Sequence, residues 1–130
     1  MSTTFTQLLS MAEQQEQPQR LLFLFARAES NKSNKSKKLQ RGHLTPVMCV
    51  DKLPDELSSF NELIKEADQL ETNWQFIFIA GLSGEQGKTP SAEQAEPYLN
   101  QMTNDLTNGQ NIARYVVIDR AGEPIEMMVN

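Results

Sequence analysis

A chain of 130 residues, 38% hydrophobic and 22% charged, is enough for one soluble domain whose core needs no covalent staple. Its net charge of −5 argues against nucleic-acid binding by the protein as a whole, and one cysteine, Cys49, excludes an internal disulfide. The longest apolar run, Leu21 to Ala26, is too short to cross a bilayer, and the N-terminus lacks the basic and small-residue marks of a secretory leader, so the expected compartment is the cytoplasm.

Phe5, Leu8, Leu9 and Ala12 recur at helical spacing, which predicts a first helix over 3–14, with Ser2, Thr3 and Thr4 as candidate caps. A Gln-rich connector ends at Pro18. The unbroken run LLFLFA (21–26) predicts a strand covered on both faces, since a half-exposed strand would alternate. Val47 to Val50 predicts a second strand. Pro54, followed by Asp55 and Glu56, suits a helix start, and Leu57, Phe60, Leu63, Ile64, Ala67 and Leu70 form one apolar stripe, predicting a helix over 54–71.

WQFIFIA (74–80) predicts a third strand. Ser91 and Gln94 form a capping box for a third helix, whose inner stripe is Ala95, Leu99, Met102 and Leu106 and whose stop is Gly109; Pro97 predicts a kink or restart. Tyr115–Ile118, a turn at 119–122 and Ile125–Val129 predict a closing hairpin. The order α-β-β-α-β-α-β-β predicts a single α/β domain over 1–130. It would be a three-layer sandwich around a mixed five-stranded sheet, with strands two to four parallel through right-handed crossovers. The βαβαββ stretch is a thioredoxin-like order, but it holds no Cys-x-x-Cys.

The segment 30–43 carries Lys32, Lys35, Lys37, Lys38 and Arg41, the only histidine, His43, and no acid. Without it the chain has seven basic residues against seventeen acidic ones. Lysines spaced by Asn and Ser suit a flexible solvated loop. As a functional surface, the same five cations would meet an acidic protein, or another copy of this chain. Nucleic acid fits poorly, because no aromatic is present for base stacking.

Residues 81–89, GLSGEQGKT, follow an apolar strand and precede a helix, as a phosphate-binding loop must. Five residues, not four, separate Gly81 from Gly87, and Pro90 removes an amide donor at the helix start. The bland reading is a polar Gly-rich connection. The functional one is an anion site at Gly84, Gly87, Lys88 and Thr89, and hence a phosphate- or nucleotide-handling enzyme. His43 has no second histidine to make a metal site. Cys49, inside Val-Met-Cys-Val, is expected to be a buried core residue that reacts slowly.

PQRLLFLFARAE (18–29), VMCVDKLPDELSSF (47–60), FIFIAGLSG (76–84) and DRAGEPIE (119–126) together resemble a family of small bacterial proteins often labelled "ribonucleotide reductase subunit alpha". The resemblance covers most of the chain and implies no activity, cofactor or site residue. The label itself demands several cysteines in a much larger barrel, and this chain has one. The sequence therefore reads as a small binding or interaction module with no cofactor; the enzyme built on 81–89 is the alternative.

Overall fold

The computed structural model describes residues 3–29, 43–57, 59–109 and 112–125. Helix α1 (Thr3–Glu13) precedes strand β1 (Gln19–Glu29) and strand β2 (His43–Lys52). A 3-10 turn at Pro54–Glu56 leads to helix α2 (Phe60–Leu70) and strand β3 (Phe76–Ser83). Helix α3 (Ala92–Asn108), a 3-10 turn at Ile112–Arg114 and strand β4 (Val116–Asp119) follow. The strands form one sheet in the order β2-β1-β3-β4, and every neighbouring pair is antiparallel.

The expected mixed, five-stranded sheet is thus corrected: among the described residues there are four strands and no parallel neighbours. Strands β2 and β3 do run the same way, but β1 lies between them, so the crossover through α2 passes over a strand. The connection through α3 returns to the end of the sheet that β3 left, which makes β4 antiparallel to β3. The closing hairpin begins as expected. Gly122 N donates to Asp119 O at 3.0 Å, Ile118 bridges Pro124, and Ile125 N donates to Val117 O at 2.8 Å. The rest of its return strand lies outside the described residues.

β1 takes the centre because it is apolar on both faces. Leu21, Phe23 and Phe25 pack with Phe5 of α1 and with Leu63 and Ala67 of α2. Leu22, Leu24 and Ala26 pack on the other face with Ala95, Met102 and Leu106 of α3. β2 is an edge strand, and it carries the edge devices: Pro46, and a register shift opposite Phe25 and Ala26. Ser59 caps α2 by accepting from Glu62 N at 3.1 Å, so the helix starts later than the proline suggests and Pro54 opens a separate 3-10 turn. Leu57, Leu63 and Ala67 are buried and Phe60 and Ile64 pack against them, but Leu70, expected in the same stripe, is 69% exposed at the helix end. α3 runs unbroken through Pro97.

Trp74 locks β4 to α2. Its ring meets Phe25 edge-on at 4.9 Å, and its Nε1 donates to Asp68 at 3.0 Å. Arg120 lies 3.9 Å over the Trp74 ring, donates to the Trp74 carbonyl at 3.0 Å, and reaches both Asp68 oxygens at 2.8 and 2.9 Å. Among the described residues no helix is long and apolar enough to cross a membrane.

Leu63 faces the β1 surface and is 2% exposed. Leu63→Asp is expected to lower unfolding stability by about 4 kcal/mol or more, because it buries an unpaired carboxylate. Chemical denaturation measures it; a change under about 1 kcal/mol, the size of a surface substitution, would contradict the placement of α2.

Candidate functional site

The Gly-rich connection is a hairpin. Glu85 N donates to Lys88 O at 3.2 Å and Lys88 N to Glu85 O at 2.9 Å, with Gln86 (φ 55°) and Gly87 (φ 76°) between them. Positive φ at both central residues is the type I′ turn that joins two strands tightly, and glycine suits the second position. Gly84 is needed for a different reason. Its N–H donates to Pro18 O at 2.8 Å, and a β-carbon there would sit 1.9 Å from the Lys88 carbonyl oxygen. Gly87 N donates to Gln17 Oε1 at 2.8 Å.

Gly84, Gly87, Lys88 and Thr89 are therefore brought together, but the amides of Gly84, Glu85, Gly87 and Lys88 are all committed to protein oxygens. The start of α3 is capped in the same self-sufficient way. Gln94 N donates to Ser91 Oγ at 3.1 Å and Ser91 N to Gln94 Oε1 at 2.9 Å. Arg20, paired with Asp51, holds the Pro90 carbonyl through Nε at 2.6 Å. The depression over this loop, about 430 Å³, contains Glu85 as well as Lys88, so its charge is balanced rather than cationic.

Lys32, Lys35, Lys37, Lys38 and Arg41 lie outside the described residues. Their segment leaves β1 at Glu29 and rejoins β2 at its partner, His43. Ser83 pairs with Gln19 at the opposite end of β1. At about 3.3 Å per residue those two ends are roughly 30 Å apart. The basic segment's attachment points and the Gly-rich hairpin thus belong to different ends of the sheet. Cys49 is exposed on the edge strand, not buried, with its sulfur 3.7 Å from Thr103 Oγ1. Partial burial pushes its thiol pKa up, and the Thr103 hydrogen bond offsets part of that. Among the described residues no group of three or more His, Cys, Asp or Glu side chains could hold a metal ion.

A second, more apolar site is a cleft of about 390 Å³ between α1 and the outer edge of β3. It exists because β4 is shorter than β3. Their pairing stops at Ile79 and Val116, while β3 continues to Ser83. Main-chain groups alternate in direction along a strand. Gly84 donates towards β1, so Gly81 and Ser83 present N–H and C=O away from β1, to the side where no described strand pairs with them. Leu8, Met11, Ile79 and Val116 supply apolar walls, and Met11 and Val116 are 57% and 39% exposed. Gln19, 8% exposed, clamps the floor: its Nε2 donates to Ser83 Oγ at 2.6 Å and to Gln17 O at 3.2 Å.

Arg114 and Tyr115 close one end of the cleft. Tyr115 is anchored from behind, its Oη donating at 2.5 Å to Asp105, a carboxylate 2% exposed on the inner side of α3 that also accepts from Gln101 at 2.9 Å. Burial first, then the hydrogen bond to Asp105 and its negative charge, push the Tyr115 pKa up to about 12, with Arg114 opposing.

No protein-family model matches the chain, nor does any curated protein or solved structure. The site rests on its own geometry. Reading the sequence for motifs missed Gln19, Asp105, Arg114 and Tyr115. Only Asp105 left a signal: it sits three residues after Met102 on the apolar stripe of α3, where a carboxylate needs a buried partner.

Two outcomes follow from these environments. Tyr115 keeps its proton in the folded state above its ordinary value near 10, so the stability this contributes is complete below pH 10 and is lost as pH rises through about 12. Tyr115→Phe should remove that alkaline loss, and should cost about 1–3 kcal/mol at neutral pH by depriving buried Asp105 of a donor. Denaturation curves of both proteins measure this; identical curves would mean the hydrogen bond is not made in solution. Cys49 should react stoichiometrically with a disulfide reagent in the folded protein, more slowly than free cysteine because thiolate is scarce. Labelling that requires unfolding would contradict its exposed position.

Proposed function

We propose that this protein is a small cytoplasmic binding module and that the cleft beside the open end of β3 is where it binds. The observation that supports this reading is the combination, in one place, of the main-chain edge at Gly81, with which no described strand pairs, and exposed apolar side chains at Met11 and Val116. Concave sites of this kind take their affinity from the apolar wall and their orientation from a few polar groups. The alternative, a phosphate- or nucleotide-handling enzyme using 81–89, has less behind it, since the amides that would wrap a phosphate already bond within the protein. An acidic protein or a second copy of this chain meeting Lys32, Lys35, Lys37, Lys38 and Arg41 is a separate proposal, carried by composition alone. Membership of the small bacterial family that the sequence resembles is likewise proposed, with no activity attached.

Anilinonaphthalene sulfonate, an apolar dye with one negative charge, is a suitable probe. Its fluorescence should rise saturably with folded protein, and Met11→Glu, at an exposed position, should weaken binding by roughly 10-fold through lost apolar contact and added like charge. ATP or GTP with magnesium should leave the melting temperature unchanged. A nucleotide-dependent rise that disappears in Lys88→Ala would replace the binding module with the enzyme.

A further inference from the structure

The open edge of β3 has a direction. β4 runs antiparallel to β3, pairing Val116 with Ile79 and Asp119 with Phe76. A chain that pairs antiparallel with Gly81 and Ser83 must run as β4 does, end to end with it. Its carboxyl end then points at Val116, the first residue of β4. Arg114 and Tyr115 stand there because the 3-10 turn at Ile112–Arg114 takes the chain off the strand's line, with Tyr115 N bonded back to Ile112 O at 3.1 Å. Among the described side chains lining the cleft, Arg114 alone carries a charge. A chain entering in the parallel sense would instead bring a main-chain amino end, a cation, towards that guanidinium.

We infer that the cleft takes the carboxyl-terminal end of an extended peptide. The inference rests on the cleft being a binding site and names its ligand class. The peptide's main chain pairs with Gly81 and Ser83, and its terminal carboxylate meets Arg114. Extending the β3–β4 register puts the last residue opposite Gly81 and leaves one residue's length, about 3.3 Å, for the carboxylate before Val116. Paired residues on neighbouring strands project to the same face. The side chain of that last residue therefore lies on the α1 face beside Gly81, whose own face is covered by Gln19 Oε1, 3.1 Å from where a β-carbon would stand, and reaches the apolar wall of Leu8 and Met11. An apolar last residue matches this wall. Strand addition of this kind takes affinity from the main chain and specificity from alternate side chains.

The test uses a fluorescein-labelled hexapeptide of alternating threonine and valine, ending in valine with a free carboxylate, beside its C-terminal amide. Fluorescence polarisation should show the carboxylate peptide binding at least roughly 10-fold more tightly than the amide, as a charge-assisted contact warrants. Arg114→Gln, at an exposed position, should abolish that difference while leaving the melting temperature unchanged. On binding, the amide resonances of Gly81 and Ser83 should move. Equal affinity for both peptides would overturn the carboxylate reading. Dye binding without peptide binding would overturn the peptide ligand and leave the cleft as a site; failure of both would remove the site. Decanoate binding that leaves Gly81 and Ser83 unmoved, with no peptide binding, would point to a lipid carboxylate and overturn strand addition.

Discussion

A strand whose successive residues, Leu21 to Ala26, are all withdrawn from solvent needs a helical layer against each face and a strand along each edge. β1 obtains both: α1 and α2 on one side, α3 on the other, β2 and β3 beside it. Each fully buried Leu or Phe contributes about 1.5–3 kcal/mol, against about 0–1 kcal/mol for a surface ion pair such as Lys52–Glu66. The centre of the sheet therefore settles the arrangement, and the charged contacts adjust to it. Arg20, which pairs with Asp51 and holds Pro90 at the start of α3, and Arg120, stacked on Trp74, fasten connections around a core already fixed by β1.

The candidate site is a by-product of that arrangement. β3 must be long enough to pair along most of β1, whereas β4 covers it only to Ile79. The four residues beyond are flanked by α1 on one face and by Tyr115, held by Asp105, at the end of β4. Gly81 carries no side chain into this space, and Gln19 holds Ser83 in place. The Gly-rich hairpin that follows turns its amides inward, so the chemistry of this end of the sheet lies on the strand edge and not in the loop.

The sequence made the elements legible because burial leaves a direct mark. Unbroken apolar runs located β1 and β3, the stripe from Leu57 to Ala67 located the α2 region, and Ser91 with Gln94 located the start of α3. Direction left no such mark. A strand buried on both faces looks the same whether its neighbour is parallel or antiparallel, so β2, β3 and β4 were expected to lie side by side in parallel. The cleft was invisible for a related reason: it arises from a mismatch in strand length and from a missing side chain, and neither is a motif. Cys49 was misplaced because apolar neighbours suggest a core, whereas β2 is an edge whose Cys49 side chain is left partly uncovered beside Thr103.

Among the described residues, β3 is unpaired beyond Ile79 on its outer side. Amide hydrogen exchange of the free protein, resolved residue by residue, tests it most directly. Ala80 and Leu82, which face β1, should be protected alongside Ile77 and Ile79, while Gly81 and Ser83 should exchange much faster, giving an alternating pattern from Ala80 to Ser83. Uniform protection from Ile77 to Ser83 would show that another part of the chain already pairs with this edge, and the cleft would not be a site.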